Sequence, residues 1–203
     1  MNTSKTKKFI LIAGTILFVS IGLLTAGLLI FTQPKTQAVE LVEAAGTGSS
    51  IEMPAQPAQL LIPVIGVNAV VESVGLSKTA SGEMGVPEKL MDVAWYNQGP
   101  LPGMPGSAVI AGHLNGRTIS TGVFYNLTKL KLGDLVEIID QKGEKFQFKV
   151  VDVKTYDYNA SAKDVFLSDN SKARLNLITC SGDWIKDQKI YNKRTVIFTE
   201  LVI

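Results

Sequence analysis

The chain contains one cysteine, Cys180, and one histidine, His113. Each stands at the end of a strand-like run, RLNLIT before the cysteine and SAVIAG before the histidine, and Arg194 opens a further run soon after Cys180. A free thiol has a pKa near 8.5, so only about 3% is thiolate at pH 7, but that fraction is a strong nucleophile. An imidazole titrates near neutrality and can deprotonate such a thiol or protonate a departing amine. A guanidinium is permanently charged and offers a fixed fork of donors, which suits a developing oxyanion. If the three converge, they can carry out nucleophilic catalysis at a carbonyl.

Taken singly, each residue has a plainer reading. A lone cysteine on an apolar strand can be a small buried hydrophobe. A histidine beside Gly112 and Asn115-Gly116 can be a turn residue, and an arginine at a strand start can solvate a sheet edge. Position favours chemistry for the thiol: Ser181-Gly182-Asp183 reads as a turn directly after Cys180, which leaves the sulfur at a strand end. An unpaired cysteine in an exported domain also cannot be half of an internal disulfide.

The elements that must position these residues are short strands. Apolar or alternating runs recur from Leu60 onward: LLIPVIG, AVVESVGL, SAVIAGH, DLVEII, KFQFKVVDV, RLNLITC and RTVIFTELVI. Runs of this length between Gly, Pro, Asn and Asp argue for a sandwich or a closed barrel. In KFQFKVVDV, Phe146, Phe148 and Val150 share one face and Lys145, Gln147 and Lys149 the other, the pattern of a half-buried strand. QGPLPGMPG, residues 98–106, is a turn region, and residues 141–144 fit a hairpin turn. Residues 118–130 are expected to form a short helix or loop, and residues 159–171 a loop with a helical turn. No CxxC, HExxH, Walker loop or GxGxxG occurs, and one histidine with one cysteine is too few for a standard zinc site.

With 203 residues and 46% hydrophobic content, the chain can build one compact domain once its non-globular pieces are set aside. A net charge of +2, with lysines interleaved among acids, gives no footprint for nucleic acid. Residues 9–31 carry no charge and follow Lys5, Lys7 and Lys8. At about 1.5 Å per residue that run reaches roughly 35 Å, enough for one transmembrane helix. It is too long for the apolar core of a cleaved signal peptide. The basic flank places residues 1–8 in the cytoplasm, the anchor at 9–31 and the remainder outside the cell membrane as a single-pass protein. Residues 32–58 are rich in Ala, Gly, Ser, Pro and Gln and read as a flexible stalk, leaving residues 59–203 as the catalytic domain.

Four longer strings surround the three residues: AGHLNG at His113, VFYNLTKLKLGD from Val123, LITCSG at Cys180 and NKRTVIF at Arg194. These resemble the sortases, the membrane-anchored cysteine transpeptidases of Gram-positive bacteria. The family's cysteine string has the core Leu-x-Thr-Cys, matched by Leu177 to Cys180, with Asn176 where many members carry threonine. LLIPVIGVNAVVESVGL and DVAWYNQGPLPGMPGSAVIAGH resemble most of all the class F branch. The likeness extends from about Leu60 to Ile203.

The resemblance implies an all-β fold, a closed eight-stranded barrel with short helices, behind one N-terminal transmembrane helix. It also implies cleavage of an exported protein at a C-terminal Leu-Pro-x-Thr-Gly sorting signal, between Thr and Gly. Cys180 would attack the Thr carbonyl, Arg194 hold the oxyanion or substrate backbone, and His113 protonate the leaving amine. A cell-wall precursor or another amine would then resolve the thioester. Substrate-binding candidates are Thr179, Trp184 and an apolar pocket from Val165, Phe166 and Leu167. Some relatives use calcium, but the spacing of Asp157, Asp164 and Asp169 matches no calcium loop, so neither metal nor cofactor is expected. The alternatives are a cysteine peptidase that delivers acyl groups to water, and a catalytically silent, membrane-tethered barrel that binds peptides.

Overall fold

The computed structural model describes residues 53–78, 82–116, 121–167 and 171–202. Eight strands form: β1 (Pro57–Ile62), β2 (Val67–Val74), β3 (Val93–Tyr96), β4 (Gly106–Gly112), β5 (Leu135–Asp140), β6 (Lys145–Asp157), β7 (Ala173–Ile185) and β8 (Ile190–Leu201). They close into one barrel in the order β1-β2-β3-β4-β7-β8-β6-β5, with β1 against β5 as the seam. The barrel is mixed: β2–β3 and β4–β7 are parallel, and the other neighbours are antiparallel. Closure gives every strand two neighbours, so none is an edge strand along its whole length.

Alternation along each strand fills the interior. Leu60 and Ile62 of β1, Val67, Ala69 and Val71 of β2, Val136 and Ile138 of β5, and Leu175 and Leu177 of β7 are buried in one cluster. Phe148 and Val150 of β6 join them, on the face that the alternation predicted. Phe124, fully buried, plugs the interior from the β4–β5 connection, and a Cβ on Gly112 would lie 2.5 Å from its ring. Each such large side chain contributes about 1.5–3 kcal/mol when fully buried. Exposed ion pairs such as Lys154–Asp152 contribute about 0–1 kcal/mol, so packing and not surface charge holds the barrel.

A smaller apolar cluster covers part of the outer face. There Val109, Val165 and Val196 are buried among Tyr96, Tyr156, Phe166, Ile178 and Phe198. Helix α1 (Lys163–Phe166), the helical turn expected between residues 159 and 171, lays Val165 onto this patch. Of the 118–130 stretch, the described residues 121–130 include a 3₁₀ turn at Leu127–Lys129.

Three sequence expectations differ from the structure. Strand β3, VAWY, was not anticipated, because four residues with three consecutive buried side chains show no alternation. Pro57 and Ala58, read as stalk, begin β1, and the Ala55 amide donates to Asp140 Oδ2 at 2.8 Å. Strand β7 does not stop after Cys180. It continues to Ile185, and Ser181-Gly182-Asp183 forms a bulge inside the hairpin instead of a break. Gly182 has φ +76°, and a Cβ there would collide with Asn192 Oδ1, which accepts from the Asp183 amide at 2.8 Å. The proposed anchor at residues 9–31 lies outside the described residues. Among the described residues, no helix is long and apolar enough to cross a membrane.

Candidate active site

Strand parity brings the three chemical residues to one face. On β7, Leu175, Leu177 and Thr179 point into the barrel, so Cys180 shares the outer face with Ile178. In the antiparallel β7–β8 ladder Cys180 pairs directly with Arg194, as Ile178 does with Val196. The parallel β4–β7 register pairs Ala111 with Ile178, and continuing it past the strand end brings His113 level with Cys180. The β4-β7-β8 order thus sets His113 level with Cys180 and Arg194 across the ladder from it, with Arg194 outside the set of residues that line the cleft shared by the other two. Cys180 and Arg194 are mid-strand, however, and only His113 lies just beyond a strand end.

His113 and Cys180 line one cleft of about 680 Å³. Its walls come from three segments: Pro87, Glu88 and Leu90 before β3, residues 113–116 after β4, and Trp184 with Tyr191 from the β7–β8 hairpin. Asn115 Nδ2 donates to the Tyr191 hydroxyl at 2.6 Å, joining the histidine loop to the hairpin. Trp184, about half exposed, meets the Tyr191 ring edge-on with centroids 5.2 Å apart. Trp184 lines this cleft from within β7 and not from a loop after the cysteine. Pro87, Asn115 and Tyr191 were not singled out as site residues. Asn115 lay inside the AGHLNG string, but the other two sit on segments without a sequence signature.

His113 Nε2 lies 2.9 Å from the Pro87 carbonyl oxygen. A carbonyl can only accept, so Nε2 carries the proton and Nδ1 is the basic nitrogen of the neutral ring. The backbone behind the ring is packed closely. The Phe124 amide donates to His113 O at 2.9 Å, the Gly122 amide donates to Leu114 O at 2.9 Å, and a Cβ on Gly122 would collide with His113 O.

Cys180 is free and half-buried. Burial pushes its thiol pKa up, and the positive charge of Arg194 pulls it partly back. Arg194 Nη1 donates to the Tyr191 and Lys193 carbonyls, both at 2.9 Å, which pins the guanidinium beside the hairpin bulge. Nε and Nη2 remain as donors for a carbonyl or an oxyanion.

The other candidates are placed differently. Thr179 is buried and donates from Oγ1 to Gly112 O at 2.8 Å, so it ties the end of β4 to β7 from inside the barrel. Its hydroxyl does not face the cleft, because residue parity turns it inward. Val165 is buried in the outer cluster, where its carbonyl accepts from Asn176 Nδ2 at 2.7 Å. Phe166 packs edge-on against Tyr96 with ring centroids 5.4 Å apart, and Leu167 is 67% exposed. None of these three lines the cleft with Cys180, and Val165 serves as core. Asp157 pairs with Lys193 at 2.6 Å, Asp169 lies outside the described residues, and no group of three potential metal ligands occurs among the described residues.

The barrel has known counterparts. Sortase C2 from pilus island 1 of Group B Streptococcus is 24% identical, with a TM-score of 0.54 over 71% of this chain and 73% of that one. A Clostridium perfringens sortase D5 transpeptidase is 21% identical, with a TM-score of 0.54 over 73% and 79%. Sortase A from Corynebacterium diphtheriae is 20% identical, with a TM-score of 0.55 over 74% and 62%. At such identities these structures attest the fold. No curated protein matches the sequence. Residues 60–202, which include β2 to β8 and all three chemical residues, match the sortase domain. A closed mixed barrel that carries a thiol, an imidazole and a guanidinium on adjoining strands within that match belongs to the sortase family of cysteine transpeptidases.

Proposed function

We propose that the protein cleaves exported proteins at a Leu-Pro-x-Thr-Gly type sorting signal, between Thr and Gly, and transfers them to a cell-wall amine. The observation that carries this reading is the convergence of His113 and Cys180 on one cleft, with Arg194 opposite the cysteine. Cys180 passes its thiol proton to His113 Nδ1 as Sγ attacks the Thr carbonyl carbon, and the oxyanion that forms faces the donors of Arg194. The carbon–nitrogen bond then breaks, the leaving glycine amine takes a proton from His113, and a thioester remains. An acceptor amine attacks the thioester, gives its proton to His113 and expels the Cys180 sulfur. Cleft walls that shield the thioester from water favour the amine over hydrolysis.

Residues 9–31 anchor the chain in the cell membrane with the barrel on the extracellular face, the side on which sorting signals and wall precursors occur. The strings upstream of His113 support assignment to class F. Mass spectrometry of the full chain in detergent, incubated with a Leu-Pro-x-Thr-Gly peptide and an amine, tests the reading alongside Cys180→Ala. Cleavage between Thr and Gly with transfer to the amine, lost in the variant, is the expected result. Cleavage with hydrolysis alone would mean a peptidase, and binding without any acyl adduct would mean a silent barrel.

A further inference from the structure

The segment that supplies the Pro87 carbonyl has no regular secondary structure around residues 87–89, so its position depends on what grips it. It is held upstream by the Gly85 amide on Gly75 O at 2.9 Å and downstream by the Val123 amide on Leu90 O at 3.1 Å. Between these points the Asp92 amide donates to Lys89 O at 3.2 Å, and one side chain from a strand grips the segment's backbone. Glu72, on the outer face of β2, accepts from the Glu88 amide through Oε2 at 2.9 Å, with the Lys89 amide at 3.4 Å from Oε1.

The Glu88 N–H and the Pro87 C=O belong to the same peptide group. That group is planar and trans, so its N–H and C=O point in opposite directions. Glu72 holds one end of the plane and His113 Nε2 the other, at 2.9 Å each. The charged acceptor also polarises the peptide and strengthens its carbonyl as an acceptor. A carboxylate thus orients the only imidazole in the chain through a single peptide group, without touching it.

We propose that Glu72 is a positioning residue for His113: it locks the Pro87–Glu88 peptide so that Nε2 keeps its proton and Nδ1 is the nitrogen that exchanges protons with thiol and substrate. The proposal rests on the reading of His113 as the proton-handling residue. Because the chain has one histidine, the tautomer is measured directly by ¹⁵N chemical shifts of the imidazole in ¹⁵N-histidine-labelled full-length protein in detergent, above the pH at which the ring becomes neutral. The wild type is expected to show one tautomer, protonated at Nε2. Glu72→Ala is expected to show a mixture, with kcat lowered about tenfold and KM changed by less than about twofold. Glu72→Gln, which retains one carbonyl acceptor for the Glu88 amide, should restore most of the single-tautomer spectrum, and Glu72→Leu, which keeps bulk but no acceptor, replaces Glu72→Ala as the informative variant if the latter does not fold.

A wild-type ring protonated at Nδ1, or a folded Glu72→Ala or Glu72→Leu protein with an unchanged tautomer spectrum, would overturn the proposal. The ¹⁵N readout needs no substrate. A wild type that fails to cleave any sorting peptide therefore refutes the transpeptidase reading alone, and the tautomer spectra still decide the link to Glu72.

Discussion

Cys180 and Arg194 are direct partners across the β7–β8 ladder, and the guanidinium is the charge that opposes the effect of burial on the thiol. Burial favours the neutral sulfur and the cation favours the thiolate. Removing the cation leaves burial unopposed. Arg194→Ala is therefore expected to move the pH midpoint of Cys180 alkylation upward and to lower kcat by about 10² to 10³ through loss of the oxyanion donors. Arg194→Lys keeps the charge but not the fork, so the midpoint should stay close to wild type while kcat still falls. A midpoint that falls or stays put in Arg194→Ala would exclude this electrostatic coupling.

Gly122 and His113 are in backbone contact, and that contact leaves no room for a side chain. Gly122→Ala must push the 121–124 segment away from His113 O, straining the bonds from Gly122 to Leu114 O and from Phe124 to His113 O. Overpacking of this kind costs about 1–3 kcal/mol. Denaturant unfolding should register that loss, and kcat should fall further than stability alone requires, because the histidine loop is the part displaced. Full activity in a destabilised Gly122→Ala protein would show that the loop recovers its geometry.

The sequence was most legible where a face alternates. Phe148 and Val150 reveal the barrel interior, and the same parity puts Cys180 outside it. The pairing that unites the site was less visible, since β4 lies beside β7 only because the barrel closes in an order no local pattern encodes. Thr179 shows the limit from the other side. As the neighbour of Cys180 it was a natural substrate contact, but adjacent residues on a strand face opposite ways, and its hydroxyl is spent on Gly112 O. Val165 carried the same ambiguity between pocket and core, and its burial with Val109 and Val196, from the inner side of α1, makes it core. The grip of Glu72 on the Pro87–Glu88 peptide has no sequence signature at all, because a backbone hydrogen bond between segments depends on where the fold sets them.

Asp140 links the entry to the barrel with the β5–β6 turn. Its carboxylate accepts from the Ala55, Lys142 and Glu144 amides at 2.8, 2.8 and 3.0 Å. Burial alone would raise its pKa, but the three amides and the Lys142 charge outweigh it, and the group ends below its ordinary value of 3.8. Because the folded pKa is depressed, the stabilisation is full above the unfolded value and is lost as pH falls through the folded one. Asp140→Asn should cost about 1–3 kcal/mol at pH 7, since it replaces one of the two acceptor oxygens by a donor and removes the charge that the amides and Lys142 favour. Urea unfolding at a series of pH values should show the gap to wild type narrowing below about pH 4. A gap independent of pH would rule out the carboxylate as its source.

The bond from Asn115 to the Tyr191 hydroxyl crosses the cleft between the loop that carries His113 and the hairpin that carries Cys180. Tyr191→Phe removes this bond while keeping the ring that packs on Trp184. A net hydrogen bond contributes about 1 kcal/mol, so the balance between joined and parted walls should shift about fivefold toward the parted state. Water then gains access to the thioester, and the ratio of hydrolysis to transfer should rise by about that factor. Acylation, which draws on Cys180, His113 and Arg194, should change less than about twofold. Product partition measured against acceptor concentration separates the two steps. An unchanged ratio would mean that the walls part during every turnover, and that this bond has no part in the choice between water and amine.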